Sequence, residues 1–167
     1  MDRAPVTVRA VAAEDAEAIA TIYNHYVTNT IVTFEEEPVA AAEIGRRVEA
    51  VRESSLPWLI AEQEGRVLGY AYATKWRERR SYRFSTEVTV YLGPGLEGRG
   101  IGSKLYGNLV ADLRGRGIHA AMGGIALPNE SSIALHEKFG FRKVAHFEQV
   151  GFKFNRWIDV GYWQIIL

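Results

Sequence analysis

The stretch LEGRGIGSKLYGNLV (96–110) places glycine at positions 98, 100 and 102, directly before an amphipathic run. The residues in front of it, STEVTVYL (85–92), have the alternation of a β-strand. Glycine admits positive φ angles and close approach to the backbone, and the first turn of a helix offers unpaired N–H groups. Such a turn suits an anion, so the stretch predicts a phosphate or pyrophosphate site between a strand and a helix. A glycine-rich turn without a ligand is the alternative.

The composition is that of one ordinary globular domain. The chain has 167 residues, 47% hydrophobic and 24% charged, which predicts a single domain over residues 1–167. The formal net charge is zero, so we expect no nucleic-acid partner and no membrane surface. No apolar run approaches the ~20 residues of a membrane span and no secretory signal opens the chain, so a cytoplasmic location is expected. The absence of cysteine excludes disulfides, thiolate metal sites and a cysteine nucleophile.

Hydrophobic periodicity and turn residues divide the chain into strands and helices. Strands are predicted at 6–11, in a hairpin over 57–74 that turns at Gly65, at 85–92, at 118–127, and on both sides of FNRW (154–157). Helices are predicted from Glu14, over 39–51 with Pro38 as an early residue, from Gly100 to Gly115 or Gly117, and over 129–141 with Asn129 as the N-cap. This order predicts an α/β or α+β fold with one mixed sheet.

Two common nucleotide motifs do not fit the glycine-rich stretch. In the Walker pattern the lysine follows a glycine, whereas Lys104 follows Ser103. GPGLEG (93–98) has the letters of a dinucleotide fingerprint, but the next strand does not end in the required acidic residue. That fingerprint should also open a domain, and this one lies past the middle of the chain. Both interpretations are therefore set aside.

EGRGIG (97–102) resembles the [Gln/Arg]-x-x-Gly-x-[Gly/Ala] pyrophosphate loop of the GNAT superfamily of N-acetyltransferases, which binds acetyl-CoA. LPNESSIALHEKFGF (127–141) resembles a later motif of that superfamily. The segments that resemble its phosphinothricin acetyltransferase group spread over nearly the whole chain: IYNHYV (22–27), VTFEEEP (32–38), LPWLIAE (56–62), GYAYA (69–73), LHEKFGF (135–141) and GFKFNRWIDVGYWQ (151–164). The resemblance implies the GNAT fold, one mixed and mostly antiparallel sheet with about four helices on its two faces.

The resemblance also implies how acetyl-CoA, as cosubstrate, would be held. The pyrophosphate loop corresponds to Glu97, Gly98, Arg99, Gly100, Ile101, Gly102 and Ser103. The backbone of Val88, Thr89 and Val90 would pair with the pantetheine arm like a neighbouring strand. Asn129 would bind the cofactor through its amide, and its role as an N-cap is an equal and compatible interpretation. Glu97 departs from the family pattern, because it places a carboxylate near the expected pyrophosphate; Arg99 and Lys104 are the cations available to compensate.

Two side chains are candidates for proton transfer, Glu87 and His136. Strand alternation puts Glu87 on one face with Thr89 and Tyr91, and a carboxylate within an apolar strand is costly to bury unless it has a task or a partner. The related enzymes carry a glutamate here that is taken as the general base. His136 stands where many superfamily members carry a tyrosine thought to protonate the leaving thiolate. The sequence leaves open which group is the base and which the acid, and Glu87 is the better candidate for the base. The histidines show no metal-ligand spacing, so no metal is expected.

The segment KWRERRSYR (75–83) holds five cations and one acid in a chain of zero net charge. Arginine forks suit carboxylate or phosphinate oxygens, although a solvated basic loop has the same composition. In the resemblance this loop lines the amino-acid pocket. The predicted acceptor-binding residues are Trp76, Arg77, Arg79, Tyr82, Arg83 and Tyr91.

The sequence therefore predicts an acetyl-CoA-dependent N-acetyltransferase that acts directly on the α-amine of a small amino acid. Glutamate analogues such as phosphinothricin or methionine sulfoximine are the preferred acceptors. An enzyme for another amine (a protein N-terminus or a polyamine) and a non-catalytic CoA-binding sensor are the alternatives. The two exposed terminal strands and the resemblance together predict a homodimer.

Overall fold

The computed structural model describes residues 4–167, and its centre is a seven-stranded mixed sheet. The strands are β1 (Thr7–Ala10), β2 (Trp58–Gln63), β3 (Arg66–Lys75), β4 (Ser85–Leu92), β5 (Ala120–Ala126), β6 (Arg142–Lys153) and β7 (Arg156–Ile166). The helices are α1 (Ala16–Asn29), α2 (Ala41–Glu53), α3 (Ile101–Gly115) and α4 (Glu130–Lys138). Within the described residues, no helix combines the length and the apolar character that crossing a membrane requires.

The sheet order is β1-β2-β3-β4-β5-β7-β6, and each neighbouring pair is antiparallel except β4 with β5. The predicted fold class is confirmed, because four helices cover the two faces of this one mixed sheet. The hairpin turns at Glu64 and Gly65, both with positive φ, as the glycine at this position indicated. The β6 strand is an edge and bulges between Phe147 and Gly151.

The second helix begins later than the proline in front of it suggested. Pro38 was expected as an early helical residue, but α2 starts at Ala41. The reason is that the side chain of Asn24 binds the backbone of Val39, which lies between Pro38 and Ala41. The amide of Asn24 accepts from Val39 N at 2.7 Å and donates to Val39 O at 2.9 Å, which holds Val39 outside the helix and leaves the extended Ala40 as the N-cap.

Two hydrophobic cores lie on opposite faces of the sheet. One packs beneath α1 and α2 and contains Ile19, Val27, Ile44, Val48, Ile60, Tyr70 and Tyr91. The other packs beneath α3, with α4 at its margin, and contains Val88, Leu105, Leu109, Leu113, Phe141 and Trp163. The alternation of β4 connects them, since Val88 points to the α3 face and Tyr91 to the α1/α2 face.

The parallel neighbours β4 and β5 separate along their length. Only three residue pairs join them, Ser85 with Ala120, Thr86 with Ala121 and Glu87 with Met122. Beyond Glu87 and Met122 both strands continue, to Leu92 and Ala126, without pairing with each other. The sheet therefore has a wedge-shaped gap at its centre, where strand edges have no strand partner within the described residues.

Candidate active site

A cavity of about 890 Å³ occupies the gap between β4 and β5 and reaches both faces of the sheet. Its lining includes most of the side chains singled out from the sequence: Trp76, Arg77, Tyr82, Glu87, Val88, Thr89, Val90, Tyr91, Asn129 and His136. These residues come from the β3–β4 connection, from β4, and from α4 with its N-cap. The structure thus brings together residues that lie up to sixty positions apart in the sequence.

Glu87 is the last residue of β4 that pairs with β5, so its side chain lies where the gap opens. It is half-buried, and burial raises its pKa above the ordinary value of 4.5, while the nearby Arg77 guanidinium lowers it. Gly124 leaves room for the carboxylate, because a methyl group there would lie 3.2 Å from Oε1 of Glu87. A carboxylate with a raised pKa in a cavity has the property required of a general base near neutral pH.

His136 reaches the cavity from α4, on the opposite face from Glu87. It is 4% exposed, and Nδ1 lies 2.7 Å from the carbonyl oxygen of Ser132. A carbonyl only accepts, so Nδ1 carries the proton and the neutral ring has a lone pair at Nε2. Burial lowers the pKa of His136, which favours that neutral form. Nε2 has no hydrogen-bond partner within residues 4–167 and faces Gly123, whose missing side chain makes room for the ring.

Tyr162 of β7 also lines the cavity, and the sequence reasoning did not find it. Its ring meets Trp76 edge-on at 5.6 Å and Phe147 at 5.9 Å. Burial and the Glu87 carboxylate raise its pKa, so the phenol stays protonated near neutral pH. The pairing of Gly124 with Tyr162 across β5 and β7 places it here, and the sequence alone carries no signal for that register.

The basic loop contributes one arginine to the cavity. Arg77 lines it, and its guanidinium stacks 4.3 Å above the ring of Trp76. Arg79 and Arg83, two predicted acceptor-binding residues, are exposed and are not among the lining residues. Arg83 follows a short 3₁₀ turn at Arg80–Tyr82, and its guanidinium stacks 4.4 Å from the centre of the Phe84 ring. Spacing along the loop could not reveal this turn.

The glycine-rich stretch forms the predicted turn into α3. Gly98 and Gly100 have φ angles of 74° and 78°, which only glycine adopts without strain. The first helical bond runs from Lys104 N to Gly100 O at 3.0 Å, so the amides of residues 101–103 have no partner within the helix. The turn lies outside the lining of the large cavity, and Glu97 and Arg99 within it are exposed.

A cation that the sequence did not single out contacts the end of this turn. Lys138 of α4 donates to Oγ of Ser103 at 2.9 Å. Lys104, named above as a compensating charge for Glu97, instead donates to the carbonyl of Val6. Asn129 caps α4 as expected, since its Oδ1 accepts from Ser132 N at 3.2 Å, and it also lines the cavity.

The arrangement can serve a two-substrate transfer within one cavity. One face offers Glu87, Arg77 and Tyr162, and the other offers His136 and Asn129. Between them run the free edges of β4 and β5, which can pair with an extended ligand. No group of three or more His, Asp or Glu residues that could hold a metal occurs in residues 4–167.

Comparisons with known proteins identify the family to which the chain belongs. A family model described as an acetyltransferase (GNAT) domain matches residues 8–161. The phosphinothricin N-acetyltransferase of Streptomyces coelicolor is 39% identical, over 96% of each chain. The L-methionine sulfoximine/L-methionine sulfone acetyltransferase of Salmonella typhimurium is 36% identical, over 97% of this chain and 95% of the relative.

A solved structure agrees with the sequence relatives. The phosphinothricin acetyltransferase of Sinorhizobium meliloti, crystallised in complex with AcCoA, has a TM-score of 0.94 and 37% identity, and the match covers 97% of this chain and 88% of that one. The fold, the gap in the sheet and these matches agree: the chain belongs to the GNAT family of acetyltransferases and is similar to its phosphinothricin acetyltransferases.

Proposed function

We propose that the chain transfers an acetyl group from acetyl-CoA to the α-amine of a small amino acid, with phosphinothricin or methionine sulfoximine as the preferred acceptors. The observation that most directly supports this function is a pair of opposite charges. Glu87 and Arg77 line one cavity beside a gap in the sheet. An α-amino acid carries the complementary pair, an amine and a carboxylate. The names of the relatives support the same acceptor class.

The residues present fit acetyl-CoA as the donor. The amides of residues 101–103 and the Lys138 ammonium suit a pyrophosphate. The free edge of β4 at residues 88–90 suits the amide groups of a pantetheine arm. The Oδ1 of Asn129 is occupied by Ser132, so its Nδ2 is the group that can donate to this ligand. Bound there, acetyl-CoA supplies an activated acetyl thioester.

Proton handling falls to Glu87 in this proposal. The acceptor amine must lose a proton to be nucleophilic, and the half-buried carboxylate accepts it directly or through a water. The same carboxyl can then return that proton to the thiolate that leaves when the C–S bond of the thioester breaks. A chain without cysteine forms no cysteine acyl-enzyme, so direct attack of the amine on the thioester is the simplest mechanism and the one proposed. His136 in its neutral form accepts a hydrogen bond at Nε2 and has no proton to give there. We therefore favour Glu87 as the base and His136 as a hydrogen-bond acceptor that orients a ligand N–H or a water.

Acceptor binding rests on the part of the basic loop that reaches the cavity. Arg77 receives the carboxylate of the acceptor, and the rings of Trp76, Tyr82 and Tyr91 form the surrounding wall. Arg79 and Arg83 lie outside this wall, so the proposed acceptor site does not include them.

A thiol-release assay tests the proposed function. Acetyl-CoA is offered with L-phosphinothricin, L-methionine sulfoximine, the common amino acids, a polyamine and a peptide N-terminus. We expect the fastest thiol release with one of the first two. Faster release with the polyamine or the peptide would reassign the acceptor, and binding of acetyl-CoA without release for any acceptor would favour a sensor.

Replacing Lys138 by glutamine should weaken acetyl-CoA binding by about threefold, and less at high salt, because an exposed charge pair is weak and screened. Isothermal calorimetry at two salt concentrations measures the change. Lys143→Gln is the matched control, since Lys143 is an exposed lysine on β6 that contacts His146. Equal dissociation constants for Lys138→Gln and the control would contradict a pyrophosphate site beside Ser103.

We further propose a homodimer through the β6 edge. This edge strand exposes a row of large apolar side chains, with Phe147 at 51%, Val150 at 61% and Phe152 at 50% relative exposure. Trp157 on β7 adds a fourth at 63%. An unpaired edge with such side chains favours association. Light scattering is expected to give the mass of two chains, and Trp157→Arg is expected to reduce it; a wild-type mass of one chain would refute the dimer.

A further inference from the structure

We propose that Lys153 is a positioning residue for the acceptor side of the cavity. From the end of β6 it holds residues 30–37, which form most of the connection between α1 and α2 and supply a wall of the cavity. The inference rests on the proposed function, because it concerns how the acceptor is held.

Lys153 is a buried lysine with all its donors in use. Its side chain is among the most buried of the protein, with 2% relative exposure for the residue. Nζ donates to three backbone carbonyls, Val27 at 2.7 Å, Thr33 at 2.8 Å and Glu35 at 2.9 Å. An ammonium has three N–H groups, so these bonds saturate it. A charge is rarely buried without such partners, which indicates a constrained position for all three carbonyls.

The held segment has little structure of its own. Residues 30–40 form neither helix nor strand, so the carbonyls of Thr33 and Glu35 have no ladder to join. The opposite side of the segment is fixed to the helices. Tyr23 Oη lies 2.8 Å from Thr33 Oγ1, and the Arg47 guanidinium donates to both carboxylate oxygens of Glu35 at 2.9 and 2.7 Å. The segment is therefore clamped between α1 and α2 on one side and Lys153 on the other.

The clamped segment forms part of the cavity itself. Val32, Thr33 and Phe34 line it, across from Glu87 and Tyr162. The Phe34 ring packs on Gly151, two residues before Lys153, so closely that a methyl group at Gly151 would overlap it. The donor-side residues Asn129 and His136 belong to α4 and its cap, not to this junction. Loss of Lys153 should thus disturb acceptor binding and spare acetyl-CoA binding.

The test is Lys153→Met, which keeps the length of the stem and removes the charge and the three donors. With L-methionine sulfoximine as acceptor probe, we expect KM for the acceptor to rise about tenfold, since small displacements of positioning groups have large effects. The Kd of acetyl-CoA should stay within about twofold by the same argument. Lys143→Met, an exposed lysine on the same strand, should change neither value.

A second readout does not depend on activity. Hydrogen exchange of the backbone amides in residues 30–37 should accelerate about tenfold in Lys153→Met, while exchange in β5 stays unchanged. If Lys153→Met does not fold, Gly151→Ala disturbs the same junction by pressing on Phe34, and the same KM change is expected. Unchanged exchange in 30–37, an unchanged acceptor KM, or a parallel rise in the Kd of acetyl-CoA would overturn the proposal. Absence of thiol release by the wild type would instead refute the proposed function.

Discussion

Glu87→Gln is expected to lower kcat by about 10²–10⁴-fold, the usual contribution of a positioned acid–base group. Glutamine keeps the shape of the side chain and can still hydrogen-bond, so acetyl-CoA binding should be retained. In the wild type, kcat/KM should fall on the acid side of the pH profile with a midpoint above 4.5, because burial raises the pKa of Glu87. The variant should lack that limb. Steady-state kinetics across pH measures both effects.

Stability provides an independent check on the same residue. The folded protein disfavours the charged carboxylate, so its raised pKa costs stability as pH rises from 4.5 through the folded-state pKa. Glutamine removes that cost, and Glu87→Gln should therefore be no less stable than the wild type at pH 7. Glu78→Gln is the matched control, because Glu78 is 86% exposed on the neighbouring loop. Wild-type kcat in Glu87→Gln at every pH would make Glu87 structural and leave the base to His136 or to solvent.

Arg77→Gln is expected to raise KM for a carboxylate-bearing acceptor by about tenfold, as the loss of a charged hydrogen bond would. Arg77 is the arginine of the 75–83 loop that lines the cavity, and its stacking on Trp76 orients the guanidinium. The Kd of acetyl-CoA should stay unchanged. Initial rates at varied acceptor concentration give KM, and calorimetry gives the dissociation constant.

The loop supplies its own controls. Arg79→Gln and Arg83→Gln remove the same charge from the same segment, but neither residue lines the cavity, so both should keep a wild-type acceptor KM. The methyl ester of the acceptor should react poorly with the wild type and about as well with Arg77→Gln as the free acid does. Equal reaction of ester and acid with the wild type would contradict a carboxylate contact at Arg77.

Much of the fold could be predicted because its signals are local. Alternation along 85–92 and the glycines before α3 determine the strand–turn–helix unit, and the structure confirms both. The start of α2 could not be predicted, because Asn24, fifteen residues earlier, binds the backbone of Val39 and holds it outside the helix. Local rules favour a helix at Pro38, and a long-range hydrogen bond overrides them.

The site was predictable where one strand or one motif carries it. Glu87 and His136 stand out by their positions within a strand and a helix motif, and both line the cavity. The positions of Tyr162 and Lys153 depend on which strands become neighbours and in what register. Neither strand's own sequence determines that pairing. The arginines of the basic loop are indistinguishable by type and spacing, so only the path of the chain separates Arg77 from Arg79 and Arg83.

The gap between β4 and β5 also divides the sheet into two blocks. The strands β1 to β4 form one antiparallel block and β5, β7 and β6 form another, and within the sheet three residue pairs connect them. Helix α3 packs on β1 to β4 and helix α4 packs on β5, and both helices border one hydrophobic core. A ligand lying in the gap would bridge the two blocks as an added strand does, so its binding would also stabilise the contact between them. If the proposed function is correct, that ligand is acetyl-CoA, and its binding should hold together two parts of the sheet that share only three residue pairs.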